Sequence, residues 1–291
     1  MDMAEMGSNK LLSIAGIAVS RVAFPFAGGL NNFGSMAGLA VVAGFAYFFY
    51  SDRISGRLIG AVVVIVGQAG ILLADSRAVF ALANFWCLIF PLLFRWQRVR
   101  AVLKLFPLVS LVAPLLIIGI FLLIRQTGVA DSIGREGAFA QRLGLLSGRE
   151  VVWGSAIRVL TEGNPIQMIG YGSFGQYTSG ATRDYSWIFS QIAGLSSQSL
   201  HNANLQIIID IGYIGFAVWL VFWFSMVGSL VNQLTLNGRV VETTVPLAIV
   251  CFTLLSGILE VSGTPYFPDA MVVILFFSAW AMKLPPVRVG K

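Results

Sequence analysis

The sequence contains one histidine, His201, in the stretch SLHNANLQIIIDIGYIG. An imidazole changes its charge near neutral pH and can take a proton from a hydroxyl group. Asp210 lies nine residues further on, inside an apolar run, where a carboxylate is costly unless it faces a polar cavity or a cation. Three interpretations of His201 remain open here: a hydrogen-bonded residue at a membrane boundary, a metal ligand and a general base. A metal site is disfavoured, because Cys87 and Cys251 lie far apart within apolar runs.

Other charged residues occupy similar places. Arg21 lies in or near the first apolar segment, Arg77 at the end of the third and Glu260 near the end of the seventh. Their meeting with His201 and Asp210 on one face would form a polar cavity that opens away from the cytoplasm. The alternative is a set of buried ion pairs that hold the helices together.

The long polar loop at 125–203 is basic in an unusual way, since its basic residues are all arginines and none is a lysine: Arg125, Arg135, Arg142, Arg149, Arg158 and Arg183. Arginine presents a planar fork of donors that can bind phosphate oxygens in pairs. The arginines of this loop therefore predict that it binds an anionic ligand such as a phosphate. Ion pairs with acidic residues of the loop, or contact with lipid headgroups, are the alternative.

The composition places these residues in a membrane. Hydrophobic residues make up 57% of the 291 residues, charged residues 11%, and the mean hydropathy is +0.83. Apolar runs near the ~20 residues that a spanning helix needs predict an all-α, polytopic membrane protein. About eight segments are predicted, at 11–28, 34–50, 58–75, 79–94, 105–124, 204–230, 244–261 and 268–283. Membrane segments at 1–124 and 204–291 then flank the 125–203 loop.

The charge distribution predicts the orientation. The net charge of +6 is divided between short loops and the tail, which argues against a nucleic-acid surface. All four lysines fall on the side that the positive-inside rule makes cytoplasmic. Both termini are then cytoplasmic, and the 125–203 loop lies outside.

Two motifs organise that loop. The stretch LSGREVVWGSAIRVLTEGNP predicts an amphipathic helix, with Ser147 and Glu150 at capping-box spacing and a stop at Gly163. Next, IGYGSFG matches the letters of a dinucleotide-binding loop, but a turn-rich segment follows where that motif needs a helix. A hinge or a tight backbone turn near the substrate is the better interpretation.

The chain resembles the O-antigen ligase and polysaccharide polymerase superfamily. The family signature is a histidine, then Asn, Ser or Gln, then nine residues and G-x-x-G, which His201, Asn202, Gly212 and Gly215 match. Three further segments resemble the family in the same order, so that the likeness covers about 21–230: GGLNNFGSMAGLA, ADSRAVFAL and SGREVVWGSAIRVLTEGNPIQMIGYGSFG. Family members carry several more helices upstream, so the chain begins near the middle of their pattern.

The resemblance implies a multi-pass protein of the bacterial inner membrane with a periplasmic active face, a large periplasmic loop with short helices, and no metal or nucleotide cofactor. The donor would be an undecaprenyl-diphosphate-linked glycan, and the acceptor a lipid A core sugar or a growing polysaccharide. His201 becomes the candidate base, and Arg77, Arg142 and Arg149 the candidates for binding the diphosphate. The supporting residues are Arg21, Asn202, Asp210, Gly212, Gly215 and Glu260. A repeat-unit polymerase is the alternative within the family, and a lipid or polysaccharide transporter the alternative outside it.

Overall fold

The computed structural model describes residues 12, 17, 30–95, 101–114, 116, 148–189, 199–236, 240–261 and 264. Within these ranges every regular element is helical and no strand occurs, in agreement with the predicted all-α class. The helices are α1 (Leu30–Tyr50), α2 (Ile54–Ala74), α3 (Arg77–Arg95), α4 (Arg149–Thr161), α5 (Gly175–Thr178), α6 (Thr182–Phe189), α7 (Ala203–Leu236) and α8 (Val240–Ser256). A 3-10 helix at Pro165–Met168 follows α4, and residues 101–103 and 106–114 are also helical.

Three helices of the described residues are long and apolar enough to cross a membrane: Asn32–Tyr50, Ile54–Ala74 and Ala203–Leu234. They confirm the predicted segments 34–50, 58–75 and 204–230. The predicted segments 79–94 and 244–261 correspond to apolar helices of lesser length, Arg77–Leu92 and Val241–Ser256. Segments 11–28 and 268–283 and the end of 105–124 lie outside the described residues, so the total of eight stays a prediction.

One compact unit contains α1, α2, α3, α8 and the part of α7 from Trp223 onward. Helix α2 returns along α1 after a three-residue turn, and the two backbones approach closely at glycines. A Cβ at Gly60 would lie 2.5 Å from the backbone nitrogen of Phe48, and one at Gly67 would lie 2.9 Å from the carbonyl oxygen of Ala37. Small residues at such crossings are typical of helix pairs in membranes. Large apolar side chains of α2 remain exposed, as a lipid-facing helix requires: Ile54, Leu58, Ile59, Val62, Ile65 and Val66.

The second unit contains α4, α5, α6, the part of α7 up to Phe222, and residues 257–261 and 264. Its buried core comes mainly from α4, together with Ala181, Tyr185 of α6, Leu200 and Ile209 of α7. Helix α4 confirms the amphipathic helix predicted for this region, and Gly163, at φ 74°, follows its end. The residue that caps α4 is Gly148 at φ 85°, and Ser147 lies outside the described residues.

Candidate functional site

His201, Arg149 and Glu260 come together in the second unit, although 59 residues separate His201 from Glu260. Nδ1 of His201 lies 3.0 Å from Oε2 of Glu260, and Nη2 of Arg149 lies 2.7 Å from Oε1 of the same carboxylate. The Glu260 side chain is 8% exposed, whereas those of His201 and Arg149 are 22% and 21% exposed. One nearly buried carboxylate therefore holds two cationic or protonatable groups that remain partly accessible.

The backbone of His201 is in the left-handed region, at φ 50°, which is uncommon for a residue with a side chain. The backbone N–H and the backbone carbonyl of Leu200, the preceding residue, are both hydrogen-bonded. Its N–H donates to Oε1 of Gln206 at 3.0 Å, and its carbonyl oxygen accepts from Nε1 of the buried Trp153 at 2.9 Å. These buried bonds hold the chain in the turn that directs the imidazole toward Glu260.

Asn202, the second residue of the signature, connects the start of α7 to the Glu260 segment. Its side-chain oxygen accepts from the N–H of Leu205 at 2.9 Å, which is the bond an N-cap residue makes. Its side-chain nitrogen donates to the carbonyl of Ile258 at 3.0 Å, and the N–H of Ala203 donates to the carbonyl of Gly257 at 2.7 Å. Because Glu260 follows two residues later, Asn202 brings that carboxylate beside His201.

The electrostatics of the site favour a charged Glu260. Burial alone would raise the pKa of this carboxyl group, but attraction to His201 and then to Arg149 outweighs burial and holds the pKa below its ordinary value. A carboxylate can only accept, so Nδ1 of His201 donates to it. In the neutral imidazole the proton then sits on Nδ1, and Nε2 carries the lone pair that can accept another proton.

Asp210 lies in a different cluster, centred on the fully buried Gln206. Oδ1 of Asp210 accepts from the N–H of Gly175 at 2.8 Å and from Nε2 of Gln206 at 2.9 Å. The same nitrogen of Gln206 donates to Gln176 at 2.9 Å. Through Gln206 and Leu200, Asp210 supports the turn that carries His201.

The glycines of the two motifs meet each other. Gly212 has φ 70° and ψ −178°, which breaks the helical geometry inside α7. The N–H of Tyr171 and that of Gly172 donate to the carbonyls of Ile209 and Asp210, each at 2.9 Å. A Cβ on Gly212 would collide with Gly170 and with Met168. The IGYGSFG stretch is therefore a tight backbone turn, one of the two predicted alternatives, and it packs on the break in α7.

Gly215, the last glycine of the signature, is close to the same break. A Cβ there would lie 2.6 Å from Cγ1 of Ile211, one turn earlier in α7. Gly215 thus leaves space for the Ile211 side chain beside the interrupted turn.

The remaining predicted residues are placed as follows. Arg77 is exposed and begins α3 in the other unit, while Arg21 and Arg142 lie outside the described residues. On the surface, Arg158 pairs with Glu162 at 2.6 Å and with Asp184 at 2.5 Å, so the ion-pair interpretation applies to that arginine of the loop. Nowhere in the described part of the chain do three His, Cys, Asp or Glu side chains group so as to hold a metal ion.

Sequence reasoning did not find three polar residues that build the site: Gln206, Gln176 and Trp153. Gln206 had a signal, since it lies one helical turn before Asp210 in an apolar run and the two share a helix face. No comparable signal distinguishes Gln176, because its partner is 30 residues away.

The chain combines a partly buried histidine that is paired with a carboxylate and three helices that are long and apolar enough to cross a membrane, which makes it a membrane protein with a candidate site. A family model described as O-antigen ligase matches residues 61–220, more than half of the chain. The chain belongs to the O-antigen ligase family, whose members are glycosyltransferase-like ligases and polymerases of membranes, and it is a multi-pass membrane protein. Neither a curated protein nor a solved structure matches it significantly.

Proposed function

We propose that this protein transfers a glycan from an undecaprenyl-diphosphate carrier to a sugar hydroxyl of lipid A core, at the periplasmic face of the inner membrane. The observation that carries the proposal is the pairing of His201 Nδ1 with Glu260 at 3.0 Å, because it leaves Nε2 as the basic nitrogen. Family membership supplies the substrate class, a lipid-linked glycan and a saccharide acceptor.

In the proposed reaction, the acceptor hydroxyl oxygen attacks the anomeric carbon of the donor. The bond between that carbon and the diphosphate oxygen breaks, the diphosphate leaves with the electron pair, and the hydroxyl proton passes to Nε2 of His201. Direct displacement of this kind inverts the anomeric configuration. Glu260 acts as a positioning residue, since it orients the ring and stabilises the imidazolium that forms.

Arg149 is the proposed contact of the donor diphosphate. Its Nη2 is engaged by Glu260, but a guanidinium has five N–H donors and this side chain is 21% exposed, so donors remain for a ligand. A fixed cation beside the leaving oxygen would neutralise the charge that develops there. Arg77 and Arg142 are further candidates for the same ligand, on the strength of the resemblance alone.

The decisive experiment measures transfer in liposomes that contain the full chain and a glycan linked to undecaprenyl diphosphate. His201→Ala should lower the transfer rate by roughly 100-fold or more, because a general base typically contributes that much to the rate, and it should leave donor binding nearly unchanged. Arg149→Ala should weaken donor binding by roughly tenfold, because charge-assisted hydrogen bonds are lost.

Arg158→Ala is the matched control, because that arginine pairs with Glu162 and Asp184 on the surface. It should transfer at the wild-type rate. Wild-type rates in His201→Ala would contradict the proposed base.

The choice of acceptor separates the ligase from the polymerase, since both need a base and a diphosphate contact. Lipid A core and a second lipid-linked repeat unit are offered in parallel. Loss of the gene should leave unligated, lipid-linked polymer for a ligase, but core capped with a single repeat for a polymerase.

A further inference from the structure

Helix α7 is longer than a bilayer requires. Its 34 residues are interrupted at Gly212, and the 24 residues after that break alone rise ~36 Å, whereas the hydrocarbon region is ~30 Å thick. Its first turns are polar, with Asn204, Gln206 and Asp210, while 211–231 contains no charged residue. If 211–231 fills the hydrocarbon, the membrane boundary falls close to Gly212, where α7 is broken.

The segment that follows α4, residues 165–172, is attached to α7 at the same depth as Gly212. The backbone of Tyr171 and Gly172 bonds to the carbonyls of Ile209 and Asp210, and Met168 and Gly170 lie against Gly212. Since these contacts join backbone to backbone, the 3-10 helix and the residues after it cannot lie far from the boundary. The sequence assigns this segment to the loop at 125–203, but its contacts with α7 hold it at the membrane surface.

The side chains that this segment exposes are apolar. Ile169 is 71% exposed, and Met168 and Ile166 are exposed as well. On the adjoining part of α7, Ile211 and Ile214 are also exposed. Two N–H groups at the end of the segment are satisfied locally, since those of Ile169 and Gly170 both donate to the carbonyl of Ile166. A turn that satisfies these groups internally and exposes large apolar side chains suits contact with lipid.

We propose that residues 166–169 form a membrane anchor that inserts into the boundary between headgroups and acyl chains, in the leaflet at the N-terminal end of α7. The occupant of this apolar surface is lipid hydrocarbon. The argument for lipid is continuity, because the surface adjoins exposed residues of a helix long and apolar enough to span the membrane. The anchor does not depend on the transfer chemistry, but it would hold the His201-bearing unit against the bilayer that contains a lipid-linked donor.

Spin labels test the anchor in the full chain reconstituted in liposomes, with Cys87 and Cys251 replaced by alanine. Single labels are placed at Ile169→Cys, at the exposed polar control Glu162→Cys, and at Val218→Cys on the apolar part of α7. Collisions with oxygen, which concentrates in hydrocarbon, are compared with collisions with a water-soluble nickel chelate.

The ratio of oxygen to nickel collisions at Ile169 should exceed the ratio at Glu162 and approach that at Val218. An Ile169 label that nickel reaches as readily as the Glu162 label would overturn the anchor. Met168→Cys repeats the measurement if Ile169→Cys does not reconstitute. Transfer activity is recorded separately with unlabelled protein, so a failure of the anchor and a failure of the proposed chemistry are distinguishable.

Discussion

Glu260 contacts two basic side chains at once, one through each carboxylate oxygen. A charge this buried is costly unless its partners are in place, so removing one member leaves the others uncompensated. The left-handed backbone of His201 adds strain that the surrounding bonds of Leu200 and Asn202 must hold. The proposed catalytic role and a contribution to stability therefore fall on the same three side chains.

Glu260→Gln should impair both. Transfer should fall by roughly 100-fold with little change in donor affinity, because the imidazole loses its orienting charge. The uncompensated Arg149 should lower stability by about 3 kcal/mol, measured as a lower thermal midpoint in detergent.

The pH dependence of that midpoint has a defined sign. The pKa of Glu260 lies below its ordinary value of 4.5, so the ion pairs contribute stability above that pH and lose it as the pH falls through the lowered pKa. Glu260→Gln should abolish this part of the acid sensitivity. Glu162→Gln removes an exposed carboxylate and should keep the acid sensitivity of the wild type. If the thermal midpoints of wild type and Glu260→Gln fell equally with pH, Glu260 would not be the source of that sensitivity.

At the scale of the elements, α7 does two tasks at its N-terminal end. Its capped start positions His201 through Asn202, and its break at Gly212 receives the 168–172 turn. An uninterrupted helix with a side chain at 212 could not accept that turn, because the backbones are in contact. The G-x-x-G part of the signature therefore serves the packing of a loop.

Gly212→Ala should destabilise the second unit. The substitution places a Cβ at φ 70° and against Gly170 and Met168, so strain and overpacking together should cost about 2–4 kcal/mol. Limited proteolysis within 163–175 and the thermal midpoint measure the effect.

Gly228→Ala is the matched control in the same helix, since a Cβ there meets nothing within 4 Å. It should be neutral or stabilise by about 0.5–1 kcal/mol through helix propensity. A Gly212→Ala protein as stable as Gly228→Ala would show that the turn does not depend on the break.

At the scale of the whole molecule, the distribution of basic residues sets the expected topology. Lysines occur only in the loops and termini assigned to the cytoplasm, and the 125–203 loop has arginine alone. The proposed function places that loop outside, on the periplasmic side.

Labelling of intact cells with a membrane-impermeant maleimide measures this topology. Glu162→Cys should react, because it lies in the loop that is predicted to face outward and its side chain is exposed. Asp52→Cys, exposed in the short turn between α1 and α2, should react only after the cells are lysed. The reverse pattern would invert the proposed orientation. Wild type provides the background, since Cys251 is buried and Cys87 partly buried.

The sequence by itself determined the membrane class and the principal helices, and it singled out His201 as the candidate base. Those features follow from local properties: apolar length, charge placement and a motif within fifteen residues. Only the tertiary structure decided that Glu260 and Arg149 join His201, whereas Asp210 instead binds Gly175 and Gln206. Glu260 lies 59 positions from His201 and 111 positions from Arg149 in the sequence. Contacts over such separations depend on how the chain folds back, which residue type alone does not encode.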